Sequence, residues 1–329
     1  MSLLNELLSF PQLVSTYKNN YKVQRAFMAK SIEPMMAEAM KTNDGSLSEK
    51  DLEKIRKYYG IAVPAILGEG YAILRGKPLT DTEREIQTYL GGLTGLFDDL
   101  FDEKKIEGER LMEMIQNPKE SQAQSSFELL FLKFYMRALE LGNPEPIINL
   151  LVKGFHAQVG SEEQVNDTIT RERIVEVTRE KGGVFIQFYR AGFEGEPSHE
   201  ENKMLYNLGG VGQLENDIFD IYKDDQDGIK TLSTTHSSIQ ELKDTYEDWI
   251  QMYETSLEGL QVDPETKIKF RSFTRILYLR GKVCLQQYAD LETRMGGRLN
   301  VAKCQRESLI CDMGKTKNQL KLLIQFLKS

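Results

Sequence analysis

Residues 91–102 read GGLTGLFDDLFD, and residues 209–220 read GGVGQLENDIFD. Six of the twelve aligned pairs are identical. Apolar residues recur in both segments at the three- and four-residue intervals that are typical of an amphipathic helix. The repeat therefore predicts two similar helices that perform similar tasks.

The same helical spacing extends along the whole chain on both sides of the repeat. The predicted helical segments are 11–40, 47–74, 80–102, 122–141, 145–158, 168–191, 199–225, 237–258, 264–294 and 300–327. No stretch shows the alternation of a half-buried strand, and no break between helices is long or biased enough to be an interdomain linker. The sequence therefore predicts an all-α fold in a single domain that spans residues 1–329.

Composition limits the class of protein. A formal charge of −8 over 329 residues argues against nucleic-acid binding, because that needs a surplus of Lys and Arg. Three cysteines without a CxxC spacing indicate a reducing compartment rather than a disulfide framework. No run reaches the roughly twenty apolar residues that span a bilayer, so we predict a cytoplasmic protein without stable membrane insertion.

Oxygen-bearing side chains gather toward the end of both repeated segments. The predicted metal ligands are Asp98, Asp99, Asp102, Asn216, Asp217, Asp220 and Asp224. Intervals of four residues place Asp98 with Asp102, and Asp220 with Asp224, on one helix face. Converging carboxylates repel one another unless a cation binds, and Mg²⁺ prefers oxygen ligands that it shares with phosphate groups. The cluster therefore predicts a Mg²⁺ site.

Small residues precede both acidic clusters on the same helix faces. Gly91 and Gly95 continue the face of Asp98 toward the start of the first helix, and Gly209 lies at the start of the second. Because glycine has no side chain, we expect open space next to each acidic end.

At these residues the chain resembles the class I terpenoid and polyprenyl synthase superfamily. Residues 98–102 fit its DDxxD motif, and residues 216–224 keep the register of its NDxx(S/T)xxxE motif, with Asp at the last two ligand positions. The resemblance covers residues 80–230 at the level of motifs. It implies an all-α helical bundle around a central cavity, with several Mg²⁺ ions bound together with the diphosphate of a prenyl substrate.

Three functions remain open within this resemblance. The leading one is a terpene synthase that ionises a prenyl diphosphate and releases diphosphate. The first alternative is a chain-elongating prenyltransferase, because residues 213–220 also look like a DDxxD preceded by Gln. The basic GGKRxRP segment of those enzymes is missing, however, and Lys104-Lys105 stands in place of their Arg pair. The second alternative is a non-catalytic helical partner subunit, against which the retained acidic motifs argue.

The resemblance also implies roles for basic and aromatic residues. Residues 178–183, TREKGG, are similar to a sensor arginine followed by a helix break. The implied diphosphate contacts are Arg179, Lys181 and Lys223. The implied cavity lining is Phe97, Phe101, Phe185, Phe188, Tyr189 and Phe219, whose π faces would stabilise a cation. The C-terminal Arg-Tyr pair of the family's cyclases is missing, and the prediction leaves room for a homodimer.

Overall fold

The computed structural model describes residues 3–102 and 106–328, without the side chains of residues 3–8 and 102. Throughout these ranges the regular secondary structure is helical and no strand occurs, which confirms the all-α prediction. Across the same ranges, no helix combines the length and the apolar character that crossing a bilayer requires.

Helices follow one another with short connections. The α-helices are α1 (Leu3–Phe27), α2 (Glu33–Lys41), α3 (Glu49–Lys54), α4 (Gly60–Ala62), α5 (Glu69–Arg75), α6 (Asp81–Asp102), α7 (Gly108–Gln116), α8 (Ser126–Leu141), α9 (Pro144–Ser161), α10 (Arg171–Arg190), α11 (His199–Phe219), α12 (Ile221–Gln226), α13 (Leu232–Thr235), α14 (Ile239–Glu258), α15 (Pro264–Arg294), α16 (Arg306–Leu309) and α17 (Thr316–Lys328). Segments of π-helix occupy Met28–Ile32, Ile55–Tyr59 and Val63–Gly68, and 3₁₀ turns occupy Glu162–Val165 and Val301–Lys303.

Side chains at the helix starts explain where the two motif helices begin. Thr80 precedes α6, and its hydroxyl accepts a hydrogen bond from the Glu83 N–H while the Glu83 carboxylate accepts one from the Thr80 N–H. Ser198 precedes α11 and accepts a hydrogen bond from the Glu201 N–H. These bonds satisfy donors that the first turn of a helix cannot pair internally, so both helices start at a fixed residue.

The described residues form two compact units. The first unit comprises Val14–Phe155 and Gln187–Pro197, and the second comprises the other described residues. The helix α6 belongs to the first unit, while α11 and α12 belong to the second. A single continuous domain and a central cavity stay predictions.

The first unit is built around α6. This helix packs on α8 and on the chain that runs from α3 to the π-helical segment Val63–Gly68. Leu90, Leu93 and Leu96 of α6 are fully buried. A side chain at Gly92 would overlap the Phe134 ring of α8, so glycine is required at this approach. The apolar positions predicted from helical spacing are therefore the core positions of this unit.

The second unit is built around α11, which packs on α14 and α15, while α17 covers α15. Tyr246 and Tyr288 are fully buried, and each hydroxyl donates to a backbone carbonyl, at 2.9 Å to Tyr278 and 2.9 Å to Ile218 respectively. Because these bonds satisfy buried polar atoms, they hold α15 at a defined position against α14 and α11.

Candidate functional site

In the first unit, the adjacent aspartates of α6 have different environments. Asp98 is half-buried and accepts a hydrogen bond from the Tyr59 hydroxyl. Asp99 is only 1% exposed and forms an ion pair with Lys54. Burial raises the pKa of Asp99, the Lys54 ammonium opposes that rise, and the neighbouring Asp51 carboxylate adds to it. Asp98 is therefore the more accessible of the two predicted ligands.

The last predicted ligand of this motif is Asp102, which ends α6. Its side chain lies outside the described residues, and so do Lys104 and Lys105. The role of Asp102 as a metal ligand therefore stays a prediction from the sequence.

The glycines that precede the acidic ends do not leave open space, so that expectation was wrong. A Cβ at Gly91 would lie 2.5 Å from the Tyr59 carbonyl oxygen, and a Cβ at Gly95 would lie 3.1 Å from the Tyr59 ring. A Cβ at Gly209 would overlap the backbone of Gly182 in α10. Glycine at these positions allows neighbouring segments to approach closely. A glycine in a sequence is compatible with empty space beside the helix and with a closely packed neighbour, so the sequence alone does not distinguish the two.

In the second unit, the acidic residues of α11 and α12 form one cluster. The hydrogen bonds from the Asp220 N–H to the Asn216 carbonyl and from the Asp224 N–H to the Asp220 carbonyl, both 2.9 Å, continue the helical course across the short break. Asp217 and Asp224 are buried, Asp220 is partly exposed, and Asn216 is exposed. Gln213, one turn before Asp217, donates to its carboxylate at 2.9 Å.

This cluster holds negative charge that its surroundings only partly offset. Burial raises the pKa of Asp217 to about 6 and the pKa of Asp224 to about 7. Asp217 and Asp220 raise the pKa of Asp224 further by repulsion, while the positive charges of Lys223 and Lys181 oppose that rise. Burial also raises the pKa of Asp220. A bound cation would therefore stabilise the ionised cluster.

The three basic residues predicted to contact diphosphate lie in different surroundings. Lys181 of α10 is close enough to Asp217 and Asp224 to lower the pKa of both carboxyls. Lys223 is exposed, and its ammonium lies 3.7 Å from the Asp227 carboxylate. Both lysines are therefore placed next to the acidic cluster.

Arg179, the predicted sensor, is held by groups other than the acidic cluster. Its guanidinium donates to the Asn207 side-chain oxygen at 2.9 Å and lies 5.6 Å from the centre of the Trp249 ring. Asn207 in turn donates to the Ser256 hydroxyl at 2.7 Å. These contacts tie α10 to α11 and α14, so Arg179 has a packing role, and its contact with diphosphate stays a prediction.

Three of the aromatic residues predicted to line a cavity are core residues. Phe97 and Phe188 are fully buried, and Tyr189 is buried with its hydroxyl donating to the Thr94 hydroxyl at 3.1 Å. Burial raises the pKa of Tyr189, and the charge of Asp98 contributes to this rise. The rings of Phe188 and Tyr189 lie 5.8 Å apart.

The other three aromatic residues keep partial exposure. They are Phe101, Phe185 and Phe219. In the first unit, the Phe101 ring lies 5.1 Å from the ring of Phe97 and 5.5 Å from that of Phe155. In the second unit, the Arg280 guanidinium lies 5.8 Å from the Phe219 ring, and Arg280 also forms a bidentate ion pair with the buried Glu215. These three rings are the better candidates for contact with a hydrocarbon.

Three neighbours of the acidic residues were not predicted from the sequence: Lys54, Tyr59 and Thr178. Lys54 and Tyr59 are 45 and 39 positions away from their partners in α6. Thr178 is 2% exposed and lowers the pKa of Asp217. Its position three residues before Lys181, on the same face of α10, is the one signal that could have identified it.

The residues present are compatible with a hard divalent cation. Asp217, Asp220 and Asp224 offer only oxygen ligands, and their raised pKa values show that they lack full compensation for their charge. In the described parts of the chain, no group of three or more His, Cys, Asp or Glu side chains stands in the arrangement of a preformed metal site. The compatibility therefore rests on the chemistry of the donor atoms.

Comparison with known proteins adds no family assignment. The sequence matches no model of a known protein family, and no curated protein matches it. The function must therefore be inferred from the residues of the two acidic clusters.

Proposed function

We propose that this protein is a Mg²⁺-dependent class I terpene synthase, which ionises a prenyl diphosphate and releases diphosphate to form a terpene hydrocarbon or alcohol. One observation carries the proposal: the repeated motif ends in carboxylates in both copies, and in the second copy burial, together with repulsion from neighbouring carboxylates, raises the pKa of Asp217 and Asp224. A set of mutually repelling carboxylates is costly for a scaffold and useful for a cation site. We propose a cytoplasmic location for this activity.

The contacts of each acidic residue refine the proposed ligand set. In this proposal Asp98 is the principal ligand in the first unit, and Asp220 and Asp224 are the principal ligands in the second. Asp217 is the inner member of the cluster, held by Gln213. Asp102 and the exposed Asn216, which were predicted from the motifs, remain in the proposed ligand set. Asp99 takes a packing role instead, because it is buried and already forms an ion pair with Lys54.

The chemistry requires that a carbon–oxygen bond break, leaving negative charge on diphosphate. Mg²⁺, when bound, supplies the positive charge that lowers the energy of this leaving group. Lys181 and Lys223 would contribute further positive charge next to the acidic cluster and orient the diphosphate oxygens. The partly exposed rings of Phe101, Phe185 and Phe219 would offer π faces to the allylic cation and exclude water from it.

The proposal predicts linked binding of Mg²⁺ and diphosphate. We expect Mg²⁺ and inorganic diphosphate together to raise the melting temperature by about 5 °C or more, beyond the sum of their separate effects, because both bind the folded state. The shift should be larger at pH 8 than at pH 6. Carboxyls with raised pKa values, about 6 for Asp217 and about 7 for Asp224, must release their protons before they bind a cation.

Differential scanning fluorimetry at matched ionic strength, with sodium sulfate as the control anion, measures this effect. Without ligands the sign is opposite, because a carboxyl with a raised pKa holds its proton more tightly in the folded state. Its contribution to stability therefore falls as the pH rises from the ordinary value of 3.8 to about 6 for Asp217 and about 7 for Asp224, and it is level above that range. If the joint shift of the melting temperature is only the sum of the shifts with Mg²⁺ alone and with diphosphate alone, the metal–diphosphate site is contradicted. A joint shift of equal size at both pH values would remove Asp217 and Asp224 from the ligand set.

A further inference from the structure

The π-helical turn after α3, and the last residue of α3 itself, place two polar side chains against the acidic pair of α6. The turn occupies Ile55–Tyr59, and the Gly60 N–H bonds to the Ile55 carbonyl five residues earlier. Bonds of this spacing bring residues five positions apart onto one face, and such turns occur frequently at functional sites. Lys54 and Tyr59 are five positions apart, and both contact α6.

The two side chains bind neighbouring carboxylates. Lys54 forms an ion pair with Asp99, and the Tyr59 hydroxyl donates to Asp98. The Lys54 ammonium partly offsets the charge of Asp99, whose pKa burial still raises. The Tyr59 hydroxyl, by contrast, is a neutral donor, so it fixes the orientation of the Asp98 carboxylate without adding a positive charge beside it. The two aspartates therefore differ in the charge of the partner that contacts each of them.

Two glycines of α6 allow Tyr59 to pack closely against this helix. A Cβ at Gly95 would lie 3.1 Å from Cδ2 of the Tyr59 ring, which is tighter than most contacts of a real side chain. A Cβ at Gly91 would lie 2.5 Å from the Tyr59 carbonyl oxygen, too close for any side chain. The glycine spacing that precedes Asp98 thus lets the Tyr59 ring lie along α6 with its hydroxyl at the carboxylate.

The second copy of the motif supplies a neutral donor in a different way. Its counterpart of Gly95 is Gln213, and the Gln213 side chain itself donates to the carboxylate of Asp217 at 2.9 Å. In the first copy a glycine stands at that position, and the donor comes from Tyr59 instead. Each copy therefore pairs an aspartate with an uncharged hydrogen-bond donor, at different positions of the repeat: Asp217 aligns with Asp99, and Asp98 aligns with Asn216.

We propose that Tyr59 is a positioning residue for Asp98. Its hydroxyl holds one carboxylate oxygen so that the other is directed to a divalent cation, while Lys54 keeps Asp99 out of the ligand set. Hydrogen bonds of this kind orient metal ligands and raise affinity for the metal. This inference rests on the proposed function, since it assigns Tyr59 a task at the same Mg²⁺ site.

The test compares Tyr59→Phe with Tyr58→Phe in the full chain. Tyr58 is 64% exposed and precedes Tyr59, so it controls for the loss of a tyrosine hydroxyl from the same turn. With inorganic diphosphate held constant, Mg²⁺ is titrated and the thermal shift is recorded. We expect Tyr59→Phe to need about tenfold more Mg²⁺ for half of the maximal shift. Tyr58→Phe should match the wild type.

A second variant, Gly95→Ala, retains the hydroxyl but displaces the ring, and it should also raise the Mg²⁺ requirement. If the wild type and Tyr59→Phe reach half of the maximal thermal shift at the same Mg²⁺ concentration, the positioning role is wrong while the proposed function stands. The positioning role is equally wrong if Tyr59→Phe loses only stability without ligands. A wild type that shows no joint response would overturn the proposed function together with this inference.

Discussion

Lys54→Met is expected to lower the free energy of unfolding by about 3 kcal/mol at pH 8, because it leaves a buried carboxylate without its partner. Asp99 is 1% exposed, whereas Lys54 keeps a quarter of its side-chain surface in contact with solvent. Urea unfolding followed by circular dichroism measures the difference. Lys57→Met is the matched control: Lys57 pairs with Glu53 at the surface, where an ion pair contributes little.

The loss of stability in Lys54→Met should depend on pH. Burial already raises the pKa of Asp99, and removal of the opposing ammonium raises it further. The penalty is therefore complete above the folded-state pKa of Asp99 in the variant, and it disappears as the pH falls below the raised pKa that Asp99 has in the wild type. We expect a smaller difference between variant and wild type at pH 5 than at pH 8.

The double variant Lys54→Met/Asp99→Leu separates charge from packing. If the unpaired carboxylate causes the loss, removing it should restore most of the stability, because an apolar pair can replace a buried ion pair at little cost. An equal loss at both pH values, together with no recovery in the double variant, would show that the Lys54 side chain contributes through packing alone.

Asp220→Asn is expected to reduce diphosphate release by about 100-fold or more while the fold is retained, because a lost metal ligand weakens stabilisation of the leaving group. The stability of the free protein should be equal or higher, since the substitution removes one of the charges that raise the pKa of Asp224. Diphosphate release from prenyl diphosphates, measured beside the melting temperature, tests both statements.

Asp225→Asn provides the matched control for this substitution. Asp225 lies on α12 next to Asp224, and its carboxylate accepts a long hydrogen bond of 3.4 Å from the side chain of its neighbour Gln226. Its replacement should leave diphosphate release unchanged. If Asp220→Asn folds and releases diphosphate at the wild-type rate, Asp220 is not a ligand. An equal loss in both variants would indicate a general effect of charge.

Much of the fold follows from helical spacing and local capping. The segment predicted at 264–294 coincides with α15, and the one at 80–102 differs from α6 by a single residue at its start. These features depend on residues within a few positions of one another, so the sequence contains them directly.

Contacts between distant residues were not predictable in the same way. Tyr59 and Lys54 bind α6 from 39 and 45 positions away, and nothing in their own segment indicates these partners. The open space predicted beside the glycines of α6 was wrong because a sequence cannot show whether the space above a glycine is empty or filled. The difference between Asp98 and Asp99 likewise depends on which of them faces the π-helical turn.

Turnover of a single prenyl diphosphate is the most direct test of the proposed function. The protein and Mg²⁺ are incubated with geranyl, farnesyl, geranylgeranyl or longer diphosphates, each with and without isopentenyl diphosphate, and hexane extracts are analysed by mass spectrometry. We predict a hydrocarbon or alcohol from one allylic diphosphate alone, abolished when Mg²⁺ is chelated. Longer diphosphates formed only with isopentenyl diphosphate, or no turnover of any of these substrates by folded protein, would contradict the assignment as a terpene synthase.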